Sequence, residues 1–130
     1  MPTPEMLAFA DACMSCDAAC NNALMHCLEK GGEHLAPVRA LLECSHCCHM
    51  CEMCCRLATP MAKECAEFCA ACCRSCASAC EGLEGLDACI EACNACAEAC
   101  DAVAGGSEGA EEEMAASIDT LKAAVAALKH

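Results

Sequence analysis

The sequence predicts an all-α protein, an up-down-up-down antiparallel four-helix bundle followed by a C-terminal amphipathic helix. Three observations lead there. Cysteines recur at helical spacing in four separate segments. The breaks between those segments are short and carry Gly or Pro, which makes successive helices antiparallel neighbours. β-branched residues are nearly absent before residue 103, so no strand pattern competes.

Helix 1 opens with Thr3 as N-cap and Pro4 in the first helical position, and runs to about Lys30 before Gly31-Gly32 stops it. It carries Cys13, Cys16, Cys20 and Cys27 at spacings of 3, 4 and 7. Helix 2 starts near Ala36-Pro37 and ends near Ala58. Its stretch "CSHCCHMCEMCC" puts Cys44, Cys47, Cys48, Cys51, Cys54 and Cys55 on one broad inward face. Thr59-Pro60 repeats the cap-then-proline signal and opens helix 3, which carries Cys65, Cys69, Cys72, Cys73, Cys76 and Cys80 and ends near Glu81-Gly82. Helix 4 runs from about Leu86 to Ala104 with Cys89, Cys93, Cys96 and Cys100, and Gly105-Gly106-Ser107 ends it. At about 100° per residue each set falls on one stripe. The expected division is a Cys-lined bundle over residues 1–104, a linker at 105–109, and a C-terminal helix over 110–130. In that tail Met114, Ile118, Leu121, Val125 and Leu128 recur at spacings of 4, 3, 4 and 3, and Glu111–Glu113 suit the helix's positive N-terminal end. A helix packing on the bundle is the preferred reading of it, over a helix packing on another subunit.

Composition narrows the function. Cysteine accounts for 20 of 130 residues, Trp and Tyr are missing and Phe occurs twice, so Cys and Ala must fill the interior. A net charge of −13 argues against nucleic acid, which requires basic surface. The N-terminus reads neither as a secretory signal nor as a membrane span, which points to a cytoplasmic protein whose thiols stay reduced. No arrangement of nucleophile, base and acid suggests an enzyme.

Folding the four stripes at their loops predicts layers of sulfur. Cys13 lies level with Cys51, Cys54, Cys65 and Cys100. Cys16 meets Cys47, Cys48, Cys69, Cys72 and Cys96. Cys20 meets Cys44, Cys73, Cys76 and Cys93. Cys27, Cys80 and Cys89 gather at the end that holds the first and third loops. At the opposite end Met6, Phe9, Met61 and Val103 form an apolar plug. His26, His46, His49 and Met53 fall off the cysteine stripes and face outward. His34, in the first loop, is the candidate ligand at a mouth where metal enters beside Cys27 and Cys89.

Twenty thiols on four facing stripes are not explained by packing alone, since Ala fills such space without risk of oxidation. Regular helices also fit poorly with a disulfide scaffold, because Cys at i and i+3 or i+4 rarely meets disulfide geometry. Zinc thiolate clusters of the metallothionein kind need about four ligands wrapped around each ion. Cys48, Cys51 and Cys54 give a C-x2-C-x2-C run, but Ala58 stands where an iron–sulfur ferredoxin run continues with Cys-Pro. Cu(I) fits best, because it is soft and accepts two or three sulfurs. Bridging thiolates then give an upper bound of roughly one ion per Cys, about 20 per chain. Each ion displaces about one thiol proton, so the core fills without accumulating charge.

The pairs Cys13-x2-Cys16-x3-Cys20, Cys44-x2-Cys47, Cys51-x2-Cys54, Cys65-x3-Cys69-x2-Cys72, Cys76-x3-Cys80 and Cys89-x3-Cys93-x2-Cys96-x3-Cys100 resemble those of the bacterial copper storage proteins. The resemblance covers about residues 5–104 and involves all four helices. It implies a four-helix bundle that stores many Cu(I) ions in reduced, inward-facing thiols, a cytosolic setting like that of members without an export signal, and a homo-oligomer, often a tetramer of bundles. A zinc or mixed-metal thiolate protein is the alternative.

Overall fold

The computed structural model describes residues 2–105, 119–121 and 123–127. Four α-helices form an up-down-up-down bundle: α1 Pro4–Lys30, α2 Val38–Arg56, α3 Ala62–Cys80 and α4 Asp87–Gly105. Each packs on the next, and α1 also packs on α4, which closes the bundle around one axis.

α1 begins and ends as its sequence signals require. The Thr3 hydroxyl accepts the Met6 amide at 3.1 Å, satisfying one of the amides that a helix start leaves unpaired. Gly31 ends it with its own amide on the Cys27 carbonyl. The first connection is more ordered than a plain loop, because Gly32–Leu35 winds into a single 3-10 turn before α2.

The α2–α3 connection departs from the expected pattern. α3 starts at Ala62, and Thr59 does not cap it. Ala58 takes a left-handed conformation (φ 51°) as the chain leaves α2, and a tight turn follows in which the Ala62 amide reaches the Thr59 carbonyl at 3.2 Å. The helix register therefore begins after that turn. The Thr59 hydroxyl is left buried without a hydrogen-bond partner. Met61 sits in the cap position (φ −93°, ψ 5°), off the core stripe, and is 56% exposed, so it is not part of the plug. Phe9 does fill that end, fully buried, with Met6 and Val103 packed against the core.

α4 continues through Gly105, one residue into the expected linker. Gly106, Ser107, the Glu111–Glu113 run, Met114, Ile118 and Leu128 lie outside the described residues. Residues 119–121 and 123–127 are helical; Leu121 and Ala124 are buried in the main core and Val125 packs against it. The described part of the tail helix thus covers the bundle.

At the end holding the first and third loops, His26 and His34 both place Nε2 on the Glu84 carbonyl, at 3.1 and 3.0 Å, and their rings meet edge to face at 5.7 Å. A carbonyl only accepts, so both imidazoles donate to it through Nε2–H. This contact ties the α3–α4 loop to α1 and to the 3-10 turn. It also accounts for Gly85, which has φ +87° and would place a Cβ 2.5 Å from His26 Nε2. We expect Gly85→Ala to lower stability by about 2 kcal/mol, from left-handed strain and the displaced His26 hydrogen bond. Gly82→Ala, at φ +80° with nothing within 4 Å, should lose the strain share alone. Chemical denaturation of the two variants checks the difference.

Candidate metal centre

All twenty cysteines are free thiols. Eighteen are buried, and Cys54 and Cys65 are half-buried. The spacing of 3 and 4 along each helix, read on a 3.6-residue turn, turns the sulfurs toward the axis and leaves the Ala residues between them to pack helix against helix.

The sulfurs converge from different helices. Cys16, Cys48, Cys73 and Cys96 form one group whose Sγ atoms all lie within 4.8 Å of one another. Cys16, Cys20, Cys44 and Cys93 form a second, Cys20, Cys76, Cys89 and Cys93 a third, and Cys13, Cys69 and Cys96 a fourth. Individual contacts are short: Cys44 to Cys73 is 3.7 Å, Cys48 to Cys69 3.8 Å, and Cys20 to Cys93 3.9 Å. Cys16, Cys20, Cys93 and Cys96 each belong to two groups, so the groups run together along the axis. Cys51 faces Cys13, Cys55 and Cys100, and Cys47 faces Cys69 and Cys72. Cys80 lies against Cys76 and Cys89, with Cys27 near.

The expected layers are present, with further contacts between neighbouring layers. Cys54 with Cys65, Cys48 with Cys69 and Cys44 with Cys73 pair across α2 and α3 in the layers that loop counting gives, and Cys69 and Cys73 also reach Cys13 and Cys16 of the adjoining layer. Cys89 reaches in to Cys20 and Cys93 instead of belonging only to the end layer. Cys54 meets Cys65 as expected, but the two are half-buried at the side of the bundle instead of on its axis. His46, His49 and Met53 face outward as expected. No histidine belongs to any converging group among the described residues. His34 is buried, with Nε2 on the Glu84 carbonyl.

Sequence comparison matches the model of the copper storage protein family over residues 3–105. The chain belongs to the copper storage protein family. Solved structures agree with that membership. The protein Nmul_A1745 of Nitrosospira multiformis is 31% identical with a TM-score of 0.75, over 79% of this chain and 97% of that one. Apo-Csp3, copper storage protein 3 of Bacillus subtilis, is 31% identical with a TM-score of 0.71, over 75% and 96%. The Cu(I)-bound copper storage protein BsCsp3 is 32% identical with a TM-score of 0.70, over 75% and 95%. A search of curated proteins found no match.

In this member of the copper storage family, two effects oppose each other at the thiols. Burial away from any cation favours the neutral S–H and pushes thiols up. Neighbouring S–H groups that donate to one sulfur favour its thiolate. The second effect wins at Cys44, which collects Cys16, Cys20, Cys48 and Cys73, and at Cys69, which collects Cys100, Cys13, Cys47 and Cys48. It also wins at Cys51, brought down to about 6 by Cys100 and Cys13. Burial wins at Cys72, pushed up to about 11, and at Cys65, pushed up to about 12 with help from Cys54. Cys80 is raised to about 12 by Cys76 and by burial.

The raised thiols bind more protons in the folded than in the unfolded chain once the pH passes the ordinary thiol range near 8.5. Their stabilisation is complete below that range and is lost as the pH climbs through their folded values. We expect the metal-free, reduced protein to melt at progressively lower temperature between about pH 9 and pH 12. Thermal unfolding under strict anaerobiosis across that range checks this; an unchanged melting temperature would contradict it.

Proposed function

We propose that this chain stores and buffers many Cu(I) ions through inward-facing cysteine thiolates along the core of its bundle. The observation that carries the reading is the sharing of sulfurs between adjoining groups. Separate zinc sites each require their own closed set of about four ligands. Here Cys16, Cys20, Cys93 and Cys96 each serve two neighbourhoods, which suits an ion that accepts two or three bridging thiolates. Membership of the copper storage family and the likeness to a Cu(I)-bound relative support the same metal. The family's role is storage rather than catalysis.

All twenty cysteines serve as thiolate ligands in this proposal, eleven through the converging groups and the rest as extensions of them. Copper enters at the end closed by the His26–Glu84–His34 clasp. There His34 Nδ1, oriented by the Nε2–H bond to Glu84, passes the ion to Cys27 and Cys89. The bundle over residues 1–104 is the storage unit, and the helix over 110–130 is its cover. The protein works in the cytoplasm; among the described residues, no helix is long and apolar enough to cross a membrane. It assembles as a homo-oligomer, a tetramer by family resemblance. Leu7, Met14 and Met25 form an exposed apolar stripe along α1 that such an assembly would cover.

Anaerobic titration of the reduced protein with Cu(I) against a competing chelator tests the central claim. Uptake should continue well past seven ions toward about 20 per chain. Saturation at four to seven would return the reading to discrete clusters of the metallothionein kind. Uptake kinetics of the His34→Ala, Cys27→Ser and Cys89→Ser variants test the mouth, and light scattering tests the assembly.

A further inference from the structure

Two of the twenty thiols stand apart from the axial column. Cys54 on α2 and Cys65 on α3 are half-buried, and their Sγ atoms lie 3.2 Å apart across the helix pair. They line an open groove of about 540 Å³ between the two helices, together with Cys47, Met50, Met61 and Phe68. Five sulfur atoms thus face one groove, two of them thioethers. Met50, Met61 and Phe68 are all at least half exposed there, although an ordinary core would bury them. The late start of α3 releases Met61 from the core and brings it to this rim. The Thr59 hydroxyl, also in the groove wall, is buried without a partner.

Metal cations of full d shell bond thiolate sulfur at roughly 2.3 Å, so two thiolates of a three-coordinate ion stand roughly 4 Å apart. Cys54 and Cys65 reach that separation by small side-chain rotations. Two neighbouring methionines offer the third, weaker sulfur that a soft ion accepts. The pair also leads inward. Cys51 lies one turn before Cys54 on α2, and Cys69 one turn after Cys65 on α3, at the spacing where helical neighbours face each other. Both inner residues are buried, and Cys69 belongs to a converging group.

We propose that Cys54 and Cys65, flanked by Met50 and Met61, form a lateral Cu(I) exchange site. It is a side door that loads and unloads the column near the Phe9 end, remote from the His26–His34 clasp. The inference rests on the storage reading. The step is a ligand exchange without electron transfer. Two Cu–S bonds form as the donor's two bonds to Cu(I) break, the thiol protons of Cys54 and Cys65 pass to solvent or to the released donor ligands, and copper stays in the +1 state. The ion then moves inward by trading one sulfur at a time for Cys51 and Cys69.

The test follows Cu(I) uptake by the reduced full-length protein from a coloured Cu(I)–bicinchoninate complex. Cys54→Ser with Cys65→Ser should slow initial uptake at least about two-fold, the remainder entering at the His34 end, while lowering capacity by no more than about two ions. A second measurement leaves the fold intact. Brief treatment of the folded wild-type protein with p-chloromercuribenzoate, which bonds accessible thiol sulfur even when it is protonated, should label Cys54 and Cys65 first, and the labelled protein should show the same slowing. Unchanged uptake in either case, or first labelling at Cys27 and Cys89, would overturn the side door. If the wild-type protein takes up only a few ions, the storage reading itself fails; high capacity with an unchanged rate in the variant removes the lateral site alone.

Discussion

Loading the reduced protein with Cu(I) should raise its thermal unfolding midpoint by more than about 20 °C. A site held at 100 times its dissociation constant adds about 2.7 kcal/mol to the folded state. A small domain has about 5–15 kcal/mol of stability in total, so a few occupied sites match it. One kcal/mol moves the midpoint of a domain this size by roughly 4–8 °C. The unfolded chain also binds Cu(I) through its cysteines, which reduces the gain. It must first gather sulfurs from four distant segments, whereas the folded core holds them within 4.8 Å. Circular dichroism melts of the copper-free and loaded protein check the expectation. A shift of only a few degrees would mean that the folded core offers copper little that the open chain does not.

Replacing Phe9 by Ala should cost about 3–5 kcal/mol and lower the midpoint of the copper-free protein by roughly 15–25 °C. Phe9 is fully buried and heads the largest side chains in a core otherwise made of Cys, Ala and a few Leu. Small neighbours leave little material to collapse into the space. Phe68, the other phenylalanine, is 60% exposed, and its replacement by Ala should change stability by no more than about 0.5 kcal/mol. Calorimetry of the two variants gives a direct contrast between aromatic residues of one chain. Comparable losses would show that Phe68 is covered in solution.

Most of the bundle is legible in the amino-acid sequence, because its signals are local. The Thr3-Pro4 start and Gly31 stop of α1 depend on backbone amides and carbonyls within a few residues. The inward stripe of sulfurs depends on nothing but the helical repeat. Where sequence and structure part, the deciding contact is not local. Thr59-Pro60 has the same form as Thr3-Pro4, yet it follows a left-handed Ala58 at a tight reversal, and the chain spends Thr59 on the turn before α3 can begin. That delay changes one further expectation: Met61 leaves the plug for the rim of the groove between α2 and α3. His34 likewise gives no sequence signal for its partner, a carbonyl 50 residues away on another loop.

That four helices form, and which face of each is lined with sulfur, follows from residue type and a 3.6-residue period. The sequence therefore suffices to name a soft metal as the cargo. Which sulfurs of different helices converge, and which two lie half-buried at the side, is decided only by the tertiary structure. Those depend on how far each helix slides along its neighbours, and the slide is set by loop geometry and by packing between residues far apart in the chain.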